Sequence, residues 1–189
     1  MKEALLNTID EYLQIFSQEK EKIKPLINFL SDRNEEQFTD WNNFEGHIVA
    51  SGFVYSIKEK KFLVLYHKDL KMYIYPGGHI DKSDADILEA AKREVKEETG
   101  LQNLNLLQIS ENRMVPMDIN IHYTKYNERL NLPRHTHFDF RYLFTINEIS
   151  DVNIDLEESS DYKWITMDEL ESNPNYGTIV KKLKVFLNK

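Results

Sequence analysis

At 189 residues and 22.5 kDa the chain has the size of one ordinary domain, large enough to bury a sizeable core. Thirty-two acidic against 24 basic residues, a formal charge of −8 and a pI near 5.3 disfavour capture of nucleic-acid polymers or anionic membranes, while leaving room for one local phosphate site. The absence of cysteine excludes disulfides, thiolate metal sites and cysteine nucleophiles, and with no signal-peptide pattern and no run of about eighteen apolar residues, a cytoplasmic setting without a membrane partner is expected.

In chain order, Leu5, Leu6, Ile9, Tyr12, Leu13 and Phe16 predict one amphipathic helix, and Ile23, Leu26, Ile27 and Leu30 a second. Pro25 belongs near the first turn of that second helix, where its missing N–H costs nothing. The two stripes must bury against the rest of the chain as a helical hairpin, or against a second copy, which would give a homodimer. Residues 1–44 are therefore set apart as an N-terminal helical extension and 45–189 as the main domain.

From Gly46 the period changes to two. His47–Ile57 and Lys61–Tyr66 predict a hairpin around Lys58-Glu59-Lys60, and Met72–Tyr75 continues the strand character until Pro76-Gly77-Gly78 interrupts it. Asp84–Thr99 reads as a helix, capped by Ser83 or Asp84 and stopped by Gly100. Strands follow at Asn103–Ile109, Met117–Tyr123, Phe138–Ile146 and Tyr162–Ile165. A capping box at Thr166–Glu169 starts a short helix that Asn173-Pro174 ends, and Ile179, Val180, Leu183, Phe186 and Leu187 predict a terminal amphipathic helix. Strands interleaved with a few helices indicate a layered α/β or α+β domain.

The chemistry concentrates in the predicted helix. At about 100° per residue, Glu94, Glu97 and Glu98 fall within roughly 100° of one face near the helix C-terminus, where acids oppose the macrodipole. Such a face is often merely solvated, but hard oxygen ligands clustered in this way also suit Mg²⁺ or Mn²⁺. Upstream, Gly77-Gly78 permits close backbone approach, a turn feature on its own and a ligand-facing loop beside an acidic helix.

Gly78 followed by Arg93-Glu94-Val95-Lys96-Glu97-Glu98-Thr99-Gly100-Leu101 resembles the Nudix box, GX5EX7REUXEEXGU, over 24 residues. The first Glu of that pattern is replaced by Asp84, and eight rather than seven residues separate it from Arg93, which reads as a loop longer by one residue. The family's fold order fits most of 46–187, and some bacterial members carry a comparable helical extension and a Gly-Gly-His-x-Asp loop. The resemblance implies an α/β/α sandwich with a mixed sheet. It further implies that Glu94 and Glu98 are the principal metal ligands, Glu97 a third ligand or the base, Gly78 a carbonyl ligand and Arg93 a clamp that orients a glutamate. In some members the base comes from a later loop, for which Glu157 and Glu158 are candidates, Glu158 being preferred.

A second constellation lies at His135–Tyr142. Alternation turns His135, His137, Asp139 and Arg141 one way and Phe138, Phe140, Tyr142 and Phe144 to the core, with Asp118, Asn120 and His122 similarly paired against Ile119, Ile121 and Tyr123. Three readings stand open for the polar face: ordinary solvent exposure, substrate contact, or a second metal site. His79 beside the glycines could touch a phosphate, and among Phe53, Tyr55, Tyr73 and Tyr75, which otherwise complete the core, Tyr75 is the candidate to stack a base. The expected activity is metal-dependent hydrolysis of a phosphoanhydride in a nucleoside diphosphate derivative or nucleoside triphosphate, a small-molecule partner. The alternative is a catalytically silent nucleotide-binding sensor or scaffold.

Overall fold

The computed structural model describes residues 1–111, 114–127, 131–173 and 176–187. Two helices, α1 (Lys2–Ile15) and α2 (Lys20–Asp32), open the chain and are joined by a 3₁₀ turn at Ser17–Glu19. Their apolar stripes are buried within this same chain: Leu5, Ile9, Tyr12, Ile23, Leu26 and Leu30 share a cluster with Ile48, Val95, Phe138 and Phe140. Phe29 stacks on Phe138 with ring centroids 4.7 Å apart. Pro25 lies in the second turn of α2 rather than its first. The position tolerates it because Pro25 and Glu21, whose carbonyl loses its partner, both face water.

The central strand β1 (His47–Ser56) runs parallel to β7 (Thr136–Ile146) over its whole length, from His47 opposite His137 to Ser56 opposite Ile146. Its other edge is shared. The first half pairs antiparallel with β4 (Gly77–His79) and the last two residues with β2 (Lys61–His67). β2 continues to β3 (Met72–Ile74) and β8 (Ser159–Thr166), while β6 (Asp118–Tyr123) and β5 (Asn105–Leu106) flank β7. The sheet is therefore mixed, as expected.

Two departures from the sequence reading bear on the site. Pro76-Gly77-Gly78 does not interrupt the sheet: Gly77 and Gly78 pair with Ser51 and Ala50, close enough that a side chain at Gly77 would overlap Ser51. The strand expected at Asn103–Ile109 contracts to two residues, because only Asn105 and Leu106 find ladder partners on β7.

Alternation along the strands sends their side chains into two cores. Ile48, Ala50, Val54, Phe140 and Phe144 pack with α3 (Ile87–Thr99), α1 and α2; Phe53, Phe62, Val64, Leu143 and Ile165 pack with α4 (Met167–Ser172) and α5 (Gly177–Leu187). The result is the anticipated sandwich of helices on both sheet faces. The Thr166/Glu169 capping box forms as read; Pro174 lies outside the described residues. No helix among the described residues is long and apolar enough to cross a membrane.

A buried ionic knot ties the helical extension to the sheet. Asp118 on β6, fully buried, accepts from Lys182 of α5 at 2.6 Å, Lys22 of α2 at 3.1 Å and Arg141 of β7 at 3.4 Å. Lys182 also lies 2.6 Å from Glu19. Burial opposes ionisation of Asp118, but Lys182, Arg141 and Lys22 together hold its carboxyl below the usual range.

Candidate active site

Local structure first fixes the acidic helix. Asp86 caps α3 by accepting from the Glu89 N–H at 2.9 Å, and Gly100 ends it in the left-handed conformation at φ 72°. The cap is neither Ser83 nor Asp84. Asp84 is engaged elsewhere: both its oxygens take the Arg93 fork at 2.9 Å, and Oδ2 accepts the Asp81 N–H at 2.8 Å. These bonds outweigh burial and lower the Asp84 carboxyl from its ordinary range. The short carboxylate thus closes the longer loop between β4 and α3.

Arg93 is the hub of this segment. Besides Asp84 it donates to Glu94 at 3.0 Å, to Glu97 at 2.8 Å and to the His79 carbonyl at 2.8 Å. One guanidinium therefore holds loop, strand end and two acids of the helix in a fixed relation.

Glu94, Glu97 and Glu98 are graded in depth rather than uniformly solvated. Glu98 is 7% exposed, Glu94 is half-buried and Glu97 faces water. Glu98 accepts the Gly77 N–H at 2.6 Å, and Glu94 lies so close to Gly78 that a Cβ there would sit 2.8 Å from its carboxylate. A side chain at Gly78 would have to turn the Glu94 carboxylate aside.

Burial pushes the Glu94 carboxyl up to about 7 and that of Glu98 up to about 8. Arg93 opposes the first shift and the Gly77 amide the second, but neighbouring carboxylates reinforce both: Glu97 and Glu158 act on Glu94, and Glu158, Glu94 and Asp155 on Glu98. Glu158, on the exposed loop before β8, is thus close enough for its charge to be felt at both buried acids. Glu157 instead is fixed through its N–H on Asp155 at 2.8 Å. Buried Glu98 and half-buried Glu94, set against the side-chain-free Gly77 and Gly78 with Glu97 and Glu158 nearby, supply carboxylate oxygens whose negative charge Arg93 balances only in part. Such a set fits a hard divalent cation.

The second constellation lies on the other side of the sheet. Strand register places His47, Val49 and Ser51 of β1 beside His137, Asp139 and Arg141 of β7, with Asp118, Asn120 and His122 of β6 on the far side and Gly77 and His79 of β4 on the near side. All five residues expected to contact substrate, His79, His137, Asp139, Arg141 and Tyr75, meet on this face.

This face is not an ordinary solvent face. Asp139 is 2% and Arg141 5% exposed. Asp139 accepts from Ser51 at 2.7 Å, Tyr75 at 3.1 Å and Arg141 at 2.7 Å, while the Arg141 guanidinium lies 4.8 Å from the Tyr75 ring centre. Mutual neutralisation lets these charges leave water. Tyr75 also packs on Phe53, centroids 4.4 Å apart, so its ring is part of the second core as well.

Nearer the start of β1 the same face carries five histidines. His47 is fully buried, and burial followed by the charges of His79 and His135 lowers its imidazole to about 4. His137 is driven lower still, first by burial and then by His47 and His122. His47 was read from the sequence only as a strand residue. Its parity with Ser51 was legible, but its partner strand lies 90 residues downstream.

Comparison with known proteins adds to this picture. A family model described as NUDIX domain matches residues 46–183. A curated protein named "Probable DHNTP pyrophosphohydrolase", from Lactococcus lactis subsp. cremoris (strain MG1363), is 30% identical over 148 residues, 78% of this chain and 81% of that protein. Among solved structures, a binary complex of a C. elegans Ap4A hydrolase superposes with a TM-score of 0.55 at 21% identity, covering 75% of this chain and 97% of that one. The E. coli dihydroneopterin triphosphate pyrophosphohydrolase does so with a TM-score of 0.52 at 16% identity, covering 75% and 96%. At these identities the two structures speak to the fold.

Proposed function

The chain belongs to the Nudix hydrolase family and is a pyrophosphohydrolase of that family, and on that footing we propose that it cleaves a phosphoanhydride bond in a nucleoside triphosphate, or in a nucleoside diphosphate linked to another group, with Mg²⁺ or Mn²⁺. The observation that carries this reading is the placing of Glu98, buried, and Glu94, half-buried, both with ionisation suppressed by burial, against Gly77 and Gly78, which leave their oxygens no side chain to face. Glu94, Glu98 and Glu97, with the carbonyl of Gly78, would hold the cation. A bound divalent ion would neutralise charge on the diphosphate oxygens and lower the pKa of attacking water.

The chain's own residues supply the rest. Arg93 holds Glu94 and Glu97 at fixed orientation through its bonds to both and to the loop. Glu97, the most exposed of the three, has room to accept a proton from water, and Glu158, across the site on the β8 loop, is the other base candidate. On the opposite sheet face His79, His137 and Tyr75 are the candidates to meet the nucleotide portion, with Asp139 and Arg141, buried and paired with each other, holding Tyr75 in place.

The relative named for DHNTP supports a triphosphate substrate, including dihydroneopterin triphosphate alongside nucleotides. The test is product analysis by ³¹P NMR over nucleoside triphosphates, dihydroneopterin triphosphate, ADP-ribose and dinucleoside polyphosphates, with Mg²⁺ and with Mn²⁺. Release of pyrophosphate from a triphosphate is expected. No cleavage of any member of the panel with either metal would overturn the proposal.

A further inference from the structure

We propose a second metal site, distinct from the acidic helix, in which His47, His79 and His137 bind one transition-metal ion of the Zn²⁺ type. Among the described residues these three form the group whose ligand atoms all lie within 4.8 Å of one another. They come from three strands brought together only by register: β1, β4 and β7. The Nε2 atoms of His47 and His79 are 3.1 Å apart, close to the separation of about 3.3 Å that tetrahedral coordination at about 2.0–2.1 Å per bond requires. His79 lies at the exposed rim of the trio.

Neighbouring groups orient these rings as metal ligands are commonly oriented. His135 stands behind the trio with its Nε2 3.0 Å from that of His137, and its Nδ1 faces the Pro133 carbonyl at 2.7 Å. A carbonyl there places the proton on the His135 Nδ1, so the His135 Nε2 accepts from the His137 Nε2–H and fixes the His137 ring as a neighbouring acceptor fixes a ligating imidazole. His47 points its Nδ1 at the Asn43 carbonyl, 3.5 Å away, which leaves its Nε2 as the acceptor that faces His79. Imidazoles with no thiolate and no carboxylate in the trio select Zn²⁺, Co²⁺, Ni²⁺ or Cu²⁺ over Mg²⁺. Three ligands leave one position open to water or to a substrate oxygen.

The two sites are separated by the strand itself. Gly78 faces Glu94 on the α3 side, and the next residue, His79, turns to the other face. The histidine site stands on geometry alone and does not depend on the proposed hydrolysis.

The experiment is titration with Co²⁺ followed in the visible range, where tetrahedral nitrogen coordination gives an intense band, competed by Zn²⁺ and by excess Mg²⁺. One equivalent is expected to develop the band, Zn²⁺ to abolish it and Mg²⁺ to leave it. His79→Gln, at the exposed rim, and His137→Gln are each expected to weaken binding more than about 100-fold, the loss of a ligand exceeding that of an outer-shell partner, whereas Glu94→Gln/Glu98→Gln retains it. Absence of the band in the wild-type protein overturns the proposal whatever the variants do. So does a band that survives unchanged in His79→Gln, or one lost only in the glutamate variant.

Discussion

Replacing Glu98 by Gln separates what this residue contributes to the fold from what it contributes to chemistry. Its carboxyl titrates near 4.5 in an unfolded chain and near 8 in the native one. Between those values the folded state binds more protons, so the contribution of Glu98 to the stability of the metal-free protein is fully present below pH about 4.5 and is lost as pH rises through 8. At about 1.4 kcal/mol per pH unit of difference, the raised pKa of Glu98 costs the native state roughly 4 kcal/mol at pH 8 relative to pH 4.5. Glutamine keeps an oxygen for the Gly77 N–H and carries no charge. In chelator at pH 8, Glu98→Gln should therefore melt higher than wild type by roughly 10 °C, a difference that vanishes near pH 4.5. Excess Mg²⁺ should raise the wild type and leave the variant unmoved, while phosphate release by the variant falls by about 100-fold or more. Calorimetric scans at pH 4.5 and 8, with and without Mg²⁺, measure all of this. A variant that melts at or below wild type in chelator at pH 8 would refute the reasoning.

Gly78→Ala should leave the melting temperature within a few degrees, because the group it meets is the end of a flexible glutamate, yet reduce metal-dependent turnover at least about tenfold by turning Glu94 aside. Full activity would show that this close approach is not needed. Lys182→Met removes the nearest cation from buried Asp118 and should cost about 3 kcal/mol in urea denaturation; an unshifted midpoint would mean that Lys22 and Arg141 suffice. Residues 45–189 produced without the helical extension lose Glu19 and Lys22 from that knot and uncover Phe138 and Ile119. Their amide NMR spectrum should lack native dispersion, and a well-dispersed spectrum would establish the main domain as an independent folding unit.

The residues that carry local information were legible. The period changes at Gly46, the Gly100 stop, the Thr166 capping box and the spacing of Arg93, Glu94, Glu97 and Glu98 each have a physical cause within a few positions of chain, and each appears in the structure. Choices between near neighbours were not legible. Ser83, Asp84 and Asp86 can all cap a helix, and only the reach of Arg93 back across the loop assigns Asp84 to the clamp and leaves Asp86 for the cap. The polar strand around Asp139 and Arg141 looked compatible with solvent because its neutralising partners, Ser51, Tyr75, Asp118 and Lys182, are distributed over more than 130 residues. The same holds for the histidines, whose convergence depends on β1 lying parallel to β7, a long-range pairing that alternation within one strand does not reveal.

The most direct test is calorimetric titration of a non-hydrolysable α,β-methylene nucleoside triphosphate into the wild-type protein in Mg²⁺ and in chelator. A site this rich in carboxylates should repel a polyphosphate unless a divalent cation bridges the two, so binding in Mg²⁺ is expected to weaken by about 100-fold or more in chelator and to be equally weak with or without Mg²⁺ in Glu94→Gln/Glu98→Gln. Equal affinity in Mg²⁺ and in chelator would contradict it.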